Sequence, residues 1–263
     1  ILIAIPSLDP NDILKLYNKI FPLTENISSL PNKEYYKNKK VNFEDLIELN
    51  VEEILNRKIF QINLKKLSKY RNKTILITGG AGSIGSEICK QLILCKPKKI
   101  IIIDQSEYNI YLLNKKLSSK KIKTYLIDIN NTKILREIIL KRKVDYIFHA
   151  AAYKHVDLLE NNHISAIKNN FIGTLSILRA IKNLNINLSI ISTDKAVFPK
   201  SILGLTKRAS EIIARNFSNY SNYKYVKINI VRFGNVFGSQ GSAIETFVDQ
   251  ILNKKKITIT SYN

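Results

Sequence analysis

Two stretches of this 263-residue chain carry residue types that could do chemistry. The first is Thr78-Gly79-Gly80-Ala81-Gly82-Ser83-Ile84-Gly85. Glycines at this spacing leave backbone N–H groups open to an anion. Gly79 can turn tightly because it lacks a Cβ. Gly82 lets the main chain approach a pyrophosphate, and Gly85 lets the next helix pack close to the preceding strand. Ser83 and Ile84 fall where that helix begins, and its free N–H groups carry about half a positive charge. The second stretch is Ser192-Thr193-Asp194-Lys195, with Lys207 further on. Hydroxyls, a carboxylate and two amines can give and take protons beside a bound dinucleotide.

The elements that must position these residues are legible as apolar runs. Thr74–Ile77 reads as a strand before the glycines, and Ser86–Leu94 as a helix after them. Ile100–Ile103 is a buried-strand run ending at Asp104. An acid about 20 residues past the glycines holds a ribose 2′-hydroxyl and repels a 2′-phosphate, so the cofactor expected is NAD rather than NADP. Further strands are expected at Lys123–Ile127, which leads to Asp128 and Ile129, and at Asp145–His149, which leads to Ala150, Ala151 and Ala152. Two more are expected at Leu188–Ser192 and Tyr225–Val231. Helices are expected at Tyr108–Leu117, Lys133–Lys141, Ile164–Leu184 and Gly204–Phe217. This alternation implies an α/β fold with a doubly wound parallel sheet of the Rossmann type. Ligands of such sheets lie outside the carboxyl ends of the strands. Asp104, Asp128, Ala150, Ser192 and Arg232 are therefore expected to converge on one crevice, with Lys207 reaching the nicotinamide ribose.

Composition bounds the rest. At 45% hydrophobic and 24% charged the chain is globular. Its net charge of +21 invites a nucleic-acid or membrane reading. The lysines, however, are spread along the whole sequence among isoleucines and asparagines, and no arginine-rich patch appears, so no nucleic-acid partner is expected. The two cysteines, Cys89 and Cys95, form no disulfide framework and fit a reducing compartment, as buried apolar thiols. His149, His155 and His163 lack zinc-like spacing, and no metal site is expected. No run reaches the roughly 18 apolar residues of a membrane helix. Residues 1–72 read as a linker or the end of an upstream domain: a strand at 1–7 without an obvious partner, a helix from Asp9-Pro10 to Lys19, a polar loop over 24–40, and short amphipathic helices at 42–49 and 51–55. Residues 73–263 read as the cofactor-binding catalytic domain. It closes with a helix at 244–252 and an apolar run at 257–260, and is shortened at its C-terminus. The chain contains no methionine and starts at Ile1, which reads as a fragment of a longer parent.

Four stretches together resemble a known family. They are Thr78–Gly85, His149–Val156, Ser192–Pro199 with Lys207, and Val231–Ser239. The chain is similar to the extended short-chain dehydrogenase/reductases, and more closely to the nucleotide-sugar 4,6-dehydratases of the capsular-polysaccharide type. That resemblance implies a UDP-sugar substrate, UDP-N-acetylglucosamine, and a redox-neutral cycle. The C4 hydroxyl is oxidised with hydride passing to NAD, the C5 proton is removed, water leaves from C6, and hydride returns there. It implies Lys195 as base, Asp194 as acid, Thr193 on the C4 oxygen, and Lys207 on the cofactor. Lys154 and His155 would contact substrate, and Asn235 would either contact the nucleotide phosphate or cap a turn. A lysine at its ordinary value of about 10.4 must be tuned down by ~2–3 units to serve as base. Asp194 must be tuned up, and a simple ion pair pushes both the wrong way, so a shared proton is one way out. Generic members carry Tyr-x-x-x-Lys, where this chain has Leu203-Gly204-Leu205-Thr206-Lys207. Leucine cannot move a proton, which fits the long membrane-bound branch and disfavours an ordinary epimerase or reductase. Asp157 stands where the family usually has proline, and with the shortened C-terminus it favours a further alternative, an inactive NAD-binding fragment. The resemblance also allows a homo-oligomer, and a cytoplasmic catalytic domain whose parent is anchored in the inner membrane through a further N-terminal region.

Overall fold

The computed structural model describes residues 64–117 and 119–236 continuously, with residues 2, 3, 5, 12, 15, 16, 19, 20, 23, 28, 29, 250 and 256. The short helices expected at 42–49 and 51–55, most of the closing helix at 244–252 and the run at 257–260 lie outside the described residues. The chain divides into two compact units, Ile1–Ile62 and Asn63–Asn263. In the first, β1 (Leu2–Ile3) runs parallel to β2 (Ser28–Ser29), a partner the sequence did not reveal. Parallel strands need a long connection and leave no hairpin signal between them. Asp12, Lys15, Leu16, Lys19 and Ile20 are helical, where a helix was expected.

The second unit is built on six parallel strands: β3 (Thr74–Thr78), β4 (Lys99–Asp104), β5 (Ile122–Leu126), β6 (Tyr146–His149), β7 (Asn187–Thr193) and β8 (Lys227–Phe233). Their order is β5-β4-β3-β6-β7-β8. The chain winds outward from β3 to β5, then crosses back to β6, which leaves a topological switch point between β3 and β6. All five residues of β3 are buried, and in β4 only Lys99 and Asp104 at its ends are not. Side chains of a strand alternate between faces, and the core splits accordingly. Leu76, Ile101, Ile103, Ile147, Leu188 and Ile190 pack on one side, and Ile75, Ile77, Ile100 and Ile102 on the other. A sheet buried on both faces reads as continuous isoleucine runs, which is why the sequence announced it.

The crossovers are α1 (Ser83–Ile93), α2 (Glu107–Lys116), α3 (Thr132–Arg142), α4 (Val156–Glu160), α5 (His163–Ala166), α6 (Gly173–Ala180) and α7 (Ile202–Ser218). Side-chain caps start several of them: Ser106 accepts from Asn109 N at 3.2 Å, Asn131 from Ile134 N at 3.1 Å, and Ser201 from Gly204 N at 3.1 Å. The single helix expected at Ile164–Leu184 is instead α5, a π-helical segment Ile167–Ile172, and α6. It stops at Ala180, ahead of Asn183 in a left-handed conformation. A further difference lies at Leu64–Tyr70, a 3₁₀ turn that the sequence assigned to the linker. The Tyr70 ring meets Tyr146 edge-on at 5.0 Å and Phe148 at 5.8 Å, so these residues close one face of the sheet. Cys89 is fully buried in that face and burial pushes its thiol up to about 11. Among the described residues no helix is long and apolar enough to cross a membrane.

Candidate active site

At the switch point a cleft of about 230 Å³ opens outside the carboxyl ends of β3, β4 and β6. Its wall includes Gly79, Gly82, Asp104, Ile129, Ala150, Ala151 and Ala152, as the sequence indicated. It also includes Tyr153, Gln105, Asn109 and Asn169, which sequence reasoning did not single out.

The glycine turn is shaped by steric demand. Gly79 has φ +62°, and a Cβ there would fall 2.5 Å from the Ala151 Cα. Gly82 closes the turn by donating to the Gly79 carbonyl at 3.1 Å, and a Cβ on it would meet only that oxygen, at 3.3 Å. Its outer side is open to a ligand. At Gly85 a Cβ would run into the Gly79 carbonyl and sit 2.6 Å from the Gly80 Cα. The absence of a side chain there lets α1 approach the turn itself, rather than the strand as the sequence reading had it. Gly82, the N-cap of α1, offers no side-chain cap to the start of that helix. Asp104 is anchored by its surroundings. Its Oδ2 accepts from Ala81 N at 3.1 Å and its Oδ1 from Ser106 N at 3.0 Å. Each carboxylate oxygen keeps a lone pair for a hydroxyl. A donor-rich turn, a room-making glycine and a fixed carboxylate fit the pyrophosphate and ribose of a dinucleotide.

Asp128 does not join this cleft. It is exposed and accepts from Asn130 N and Nδ2 at 2.8 and 2.7 Å, while its neighbour Ile129 turns inward. Ser192 and Arg232 do not join it either. Ser192 Oγ donates to Glu211 Oε1 at 2.6 Å, and Arg232 grips both Glu211 oxygens, Nε to Oε1 at 2.8 Å. Glu211 is fully buried in α7. Burial would raise its carboxyl, and the Arg232 and Ser192 bonds more than offset that and hold it below the usual range. The convergence of strand ends expected at this place is thus split, because α7 sets its own carboxylate against the paired Ser192 and Arg232 of β7 and β8.

The Thr193 corner is open. Thr193 caps a 3₁₀ turn, Asp194–Ala196. Asp194 Oδ1 accepts from the Thr193 hydroxyl at 2.9 Å, from Lys195 N at 2.8 Å and from Lys195 Nζ at 3.5 Å. The Asp194 and Lys195 side chains are 56% and 42% exposed. The Thr193 bond, ahead of the Lys195 charge, lowers the Asp194 carboxyl from its ordinary value. The ion pair that the sequence warned of is therefore the arrangement observed, and neither member is buried. Lys207 is the opposite case. It is only 5% exposed, and burial pulls its amine down to about 8 against the opposing charge of Glu211. Leu203, one turn earlier on α7, packs with Leu159 and Ala166 rather than facing the cleft. Ser201 and the Glu160 carboxylate, which accepts from Ile202 N at 2.8 Å, fix where α7 begins. Gly204 then lets the first turn press on the preceding loop, since a Cβ there would lie 2.6 Å from the Lys195 carbonyl.

Two buried side chains tie the halves together. His149 is fully buried between Thr78 Oγ1, 2.8 Å from Nδ1, and Thr174 Oγ1, 3.0 Å from Nε2. Thr174 spends its proton on the Asn170 carbonyl at 2.7 Å, so it can only accept from His149 Nε2–H. Thr78 must then donate to Nδ1. Burial first, and the Lys207 charge second, push this imidazole down to about 3, and it is neutral. Asn170, on the π segment, accepts from Tyr153 N at 2.8 Å and donates to the Tyr153 carbonyl at 3.1 Å and Thr206 Oγ1 at 3.2 Å. It joins the loop after β6 to the helix that carries Lys207. The signal that could have found Asn169 and Asn170 is a polar pair on the apolar side of a helical pattern. Lys154 and His155 are exposed in that loop, and His155 precedes α4 without a side-chain cap bond. Asp157 sits in the first turn of α4, where a carboxylate suits the helix start. Asn235 is exposed just past β8.

The model of a family described as polysaccharide biosynthesis protein matches residues 75–263. The chain is 36% identical, over 99% of its length, to the capsular polysaccharide biosynthesis protein CapD of Staphylococcus aureus, of which it spans 44%. It is also 36% identical, over 72% of its length, to a UDP-glucose 4-epimerase of Rickettsia canadensis, covering 56% of that protein. Among solved structures, Pen from Bacillus thuringiensis superposes with a TM-score of 0.69 at 33% identity, over 73% of this chain and 59% of that one.

Proposed function

This chain belongs to the polysaccharide biosynthesis protein family, and from that premise we propose that it carries the core of an NAD-dependent UDP-N-acetylglucosamine 4,6-dehydratase, a hydro-lyase. The chain spans less than half of the CapD relative, so this is a reading of the parent protein's activity. The observation that carries it is Leu203, apolar and packed into a side cluster four residues before Lys207. With no phenol at that position, proton chemistry falls to the pair at the end of β7.

The residues then take these parts. Gly79, Gly82 and the start of α1 hold the pyrophosphate, and Asp104 accepts from the adenosine ribose. Ile129, Ala150, Ala151 and Ala152 wall the cleft, and Lys207 donates to the nicotinamide ribose. Bound NAD would supply the place to which hydride leaves C4 and from which it returns to C6. Thr193 takes the C4 hydroxyl proton as it passes its own to Asp194, to which it is bonded at 2.9 Å, and the resulting ketone acidifies the C5 proton. Lys195 removes that proton and returns it to C5 once C6 has received hydride, and Asp194 protonates the C6 hydroxyl, which departs as water. As found, Asp194 is held ionised by Thr193 and Lys195. When Thr193 turns to the sugar oxygen, Asp194 loses its strongest lowering contact and moves towards the protonated form. Lys154, His155 and Asn235 lie on loops at the same end of the sheet, as sugar-nucleotide contacts.

A second reading is a 4-epimerase. It is favoured by the exposed, ion-paired state of Asp194 and Lys195 and by the kinship with a protein named UDP-glucose 4-epimerase. Mass spectrometry of UDP-N-acetylglucosamine incubated with the protein and NAD separates the two. Loss of one water without net NADH supports the dehydratase, and an unchanged mass with a new C4 epimer supports the other. Neither product would sink both readings for this chain.

A further inference from the structure

The lysines that the sequence scatters are gathered by the fold. In a parallel doubly wound sheet every strand starts, and every crossover helix ends, at one pole, and every strand ends at the other. The connections at the starting pole are residues 71–73, 94–98, 117–121, 143–145, 181–186 and 219–226. They hold nine lysines and arginines and one acid, Asp145. That acid is already engaged, by Thr74 N at 2.8 Å and Lys73 Nζ at 3.3 Å. The connections at the cleft pole, 79–82, 105–106, 127–131, 150–162 with the short α4, 194–201 and 234–236, hold three lysines and four acids. A compositional bias towards lysine would load both poles alike. The difference between the poles is therefore a property of this fold, beyond its lysine content. Basic residues in the last turns of α2 and α3 complement helix ends. Lys98, Lys120 and Lys224 are exposed in connections that lead into strands, where no helix end calls for them.

We propose that this cationic pole is a docking surface for the anionic headgroup face of a lipid bilayer, which seats the sheet end-on and turns the cleft to water. Of the nine cations only Arg71 is an arginine. Lysine is a compact point charge that suits a diffuse negative surface, whereas fixed phosphates of nucleic acid select the planar fork of arginine. Two exposed side chains of interfacial type lie among the charges: Leu94, and Tyr225 with Lys224 Nζ 4.8 Å from its ring centre.

The test is flotation of the chain with vesicles of phosphatidylcholine containing about a third phosphatidylglycerol, at low and raised salt. Binding to these vesicles, absent with pure phosphatidylcholine and lost as salt screens the charges, is expected. The triple variant Lys98→Glu, Lys120→Glu, Lys143→Glu should lower partitioning roughly 100-fold, at about five-fold per lysine. The control triple Lys133→Glu, Lys168→Glu, Lys200→Glu removes equal charge elsewhere on the surface and should leave most of the binding. If the pole triple were to fold poorly, as its melting temperature would report, the milder Lys120→Gln, Lys143→Gln pair would carry the comparison. Equal binding to neutral vesicles, or equal loss from both triples, would overturn the proposal. So would tighter binding of duplex DNA than of vesicles at the same salt, abolished by the same pole substitutions.

Discussion

The two ends of β3 and β7 hold sites finished by different means. At the end of β3 the cleft is made by main chain: a left-handed glycine, a helix start and a carboxylate clamped by two backbone N–H groups. Folding alone completes it, because every element of its shape is also a packing requirement. At the end of β7 the proposed chemistry rests on side chains that are exposed and satisfied by each other. The Asp194 carboxyl is held low, the wrong way for a proposed acid, until a substrate displaces Thr193. A binding site can be preorganised by the fold, whereas an acid–base pair with opposed demands is left for the ligand to set.

The contrast can be broken or sharpened by substitution. The largest effect is expected at the open corner. Lys195→Ala should slow solvent exchange of the C5 proton by about 10²–10⁴-fold, the range of general-base catalysis, with NAD affinity and melting temperature unchanged. Exchange at the native rate would show that the base lies elsewhere. Next comes acid stability on the built side. His149 is neutral down to about 3 when folded but takes a proton near 6.5 when unfolded. The unfolded state binds more protons in that window, so stability falls as pH drops from 6.5 to 3, by about 4 kcal/mol from this group. His149→Gln should flatten that limb in denaturant titrations, and an unchanged slope would mean that another group sets it. Lys207 gives a smaller effect of the same sign. Its folded value of about 8 lies below its unfolded one, so stability contributed by this residue rises between pH 8 and 10.5. Comparison with Lys207→Met should reveal about 3 kcal/mol of that rise, and parallel pH curves would contradict a buried, lowered amine. The smallest change is at Asp104, where Asp104→Ala should weaken NAD binding by about 1–3 kcal/mol, read by calorimetry. Unaltered affinity would remove it from the ribose site.

What could be read from the sequence follows the same division. The isoleucine runs and the glycines at 79, 82 and 85 indicated a doubly wound parallel sheet and most of the cleft wall, because those features are steric and local, whereas the strand order came only with the structure. The boundaries slipped by a residue or two, as at β8, expected at Tyr225–Val231 and found at Lys227–Phe233. The π segment escaped because one wider turn inside a helix leaves no periodic signature, and Asn169 and Asn170 within it showed only as a polar pair on the apolar side of the pattern. The capture of Ser192 and Arg232 by Glu211 escaped as well. Nothing in a run of residues says that a carboxylate nineteen positions after Ser192 will turn back beneath it. The charge asymmetry between the poles was invisible for a similar reason, since it exists only once the connections have been sorted by the end of the sheet they occupy.

Gly204 has a mechanical consequence. With the Lys195 carbonyl only 2.6 Å from where a Cβ would stand, the loop of Asp194 and Lys195 and the helix of Lys207 are geared together like two teeth in mesh. A tilt of α7 carries the outer lysine along with the inner one, so the spacing between them is inherited from the gear and is not free to be adjusted by the loop. Lengthening the loop between Ala196 and Lys200 by a single residue would strip that gear without touching any reacting group.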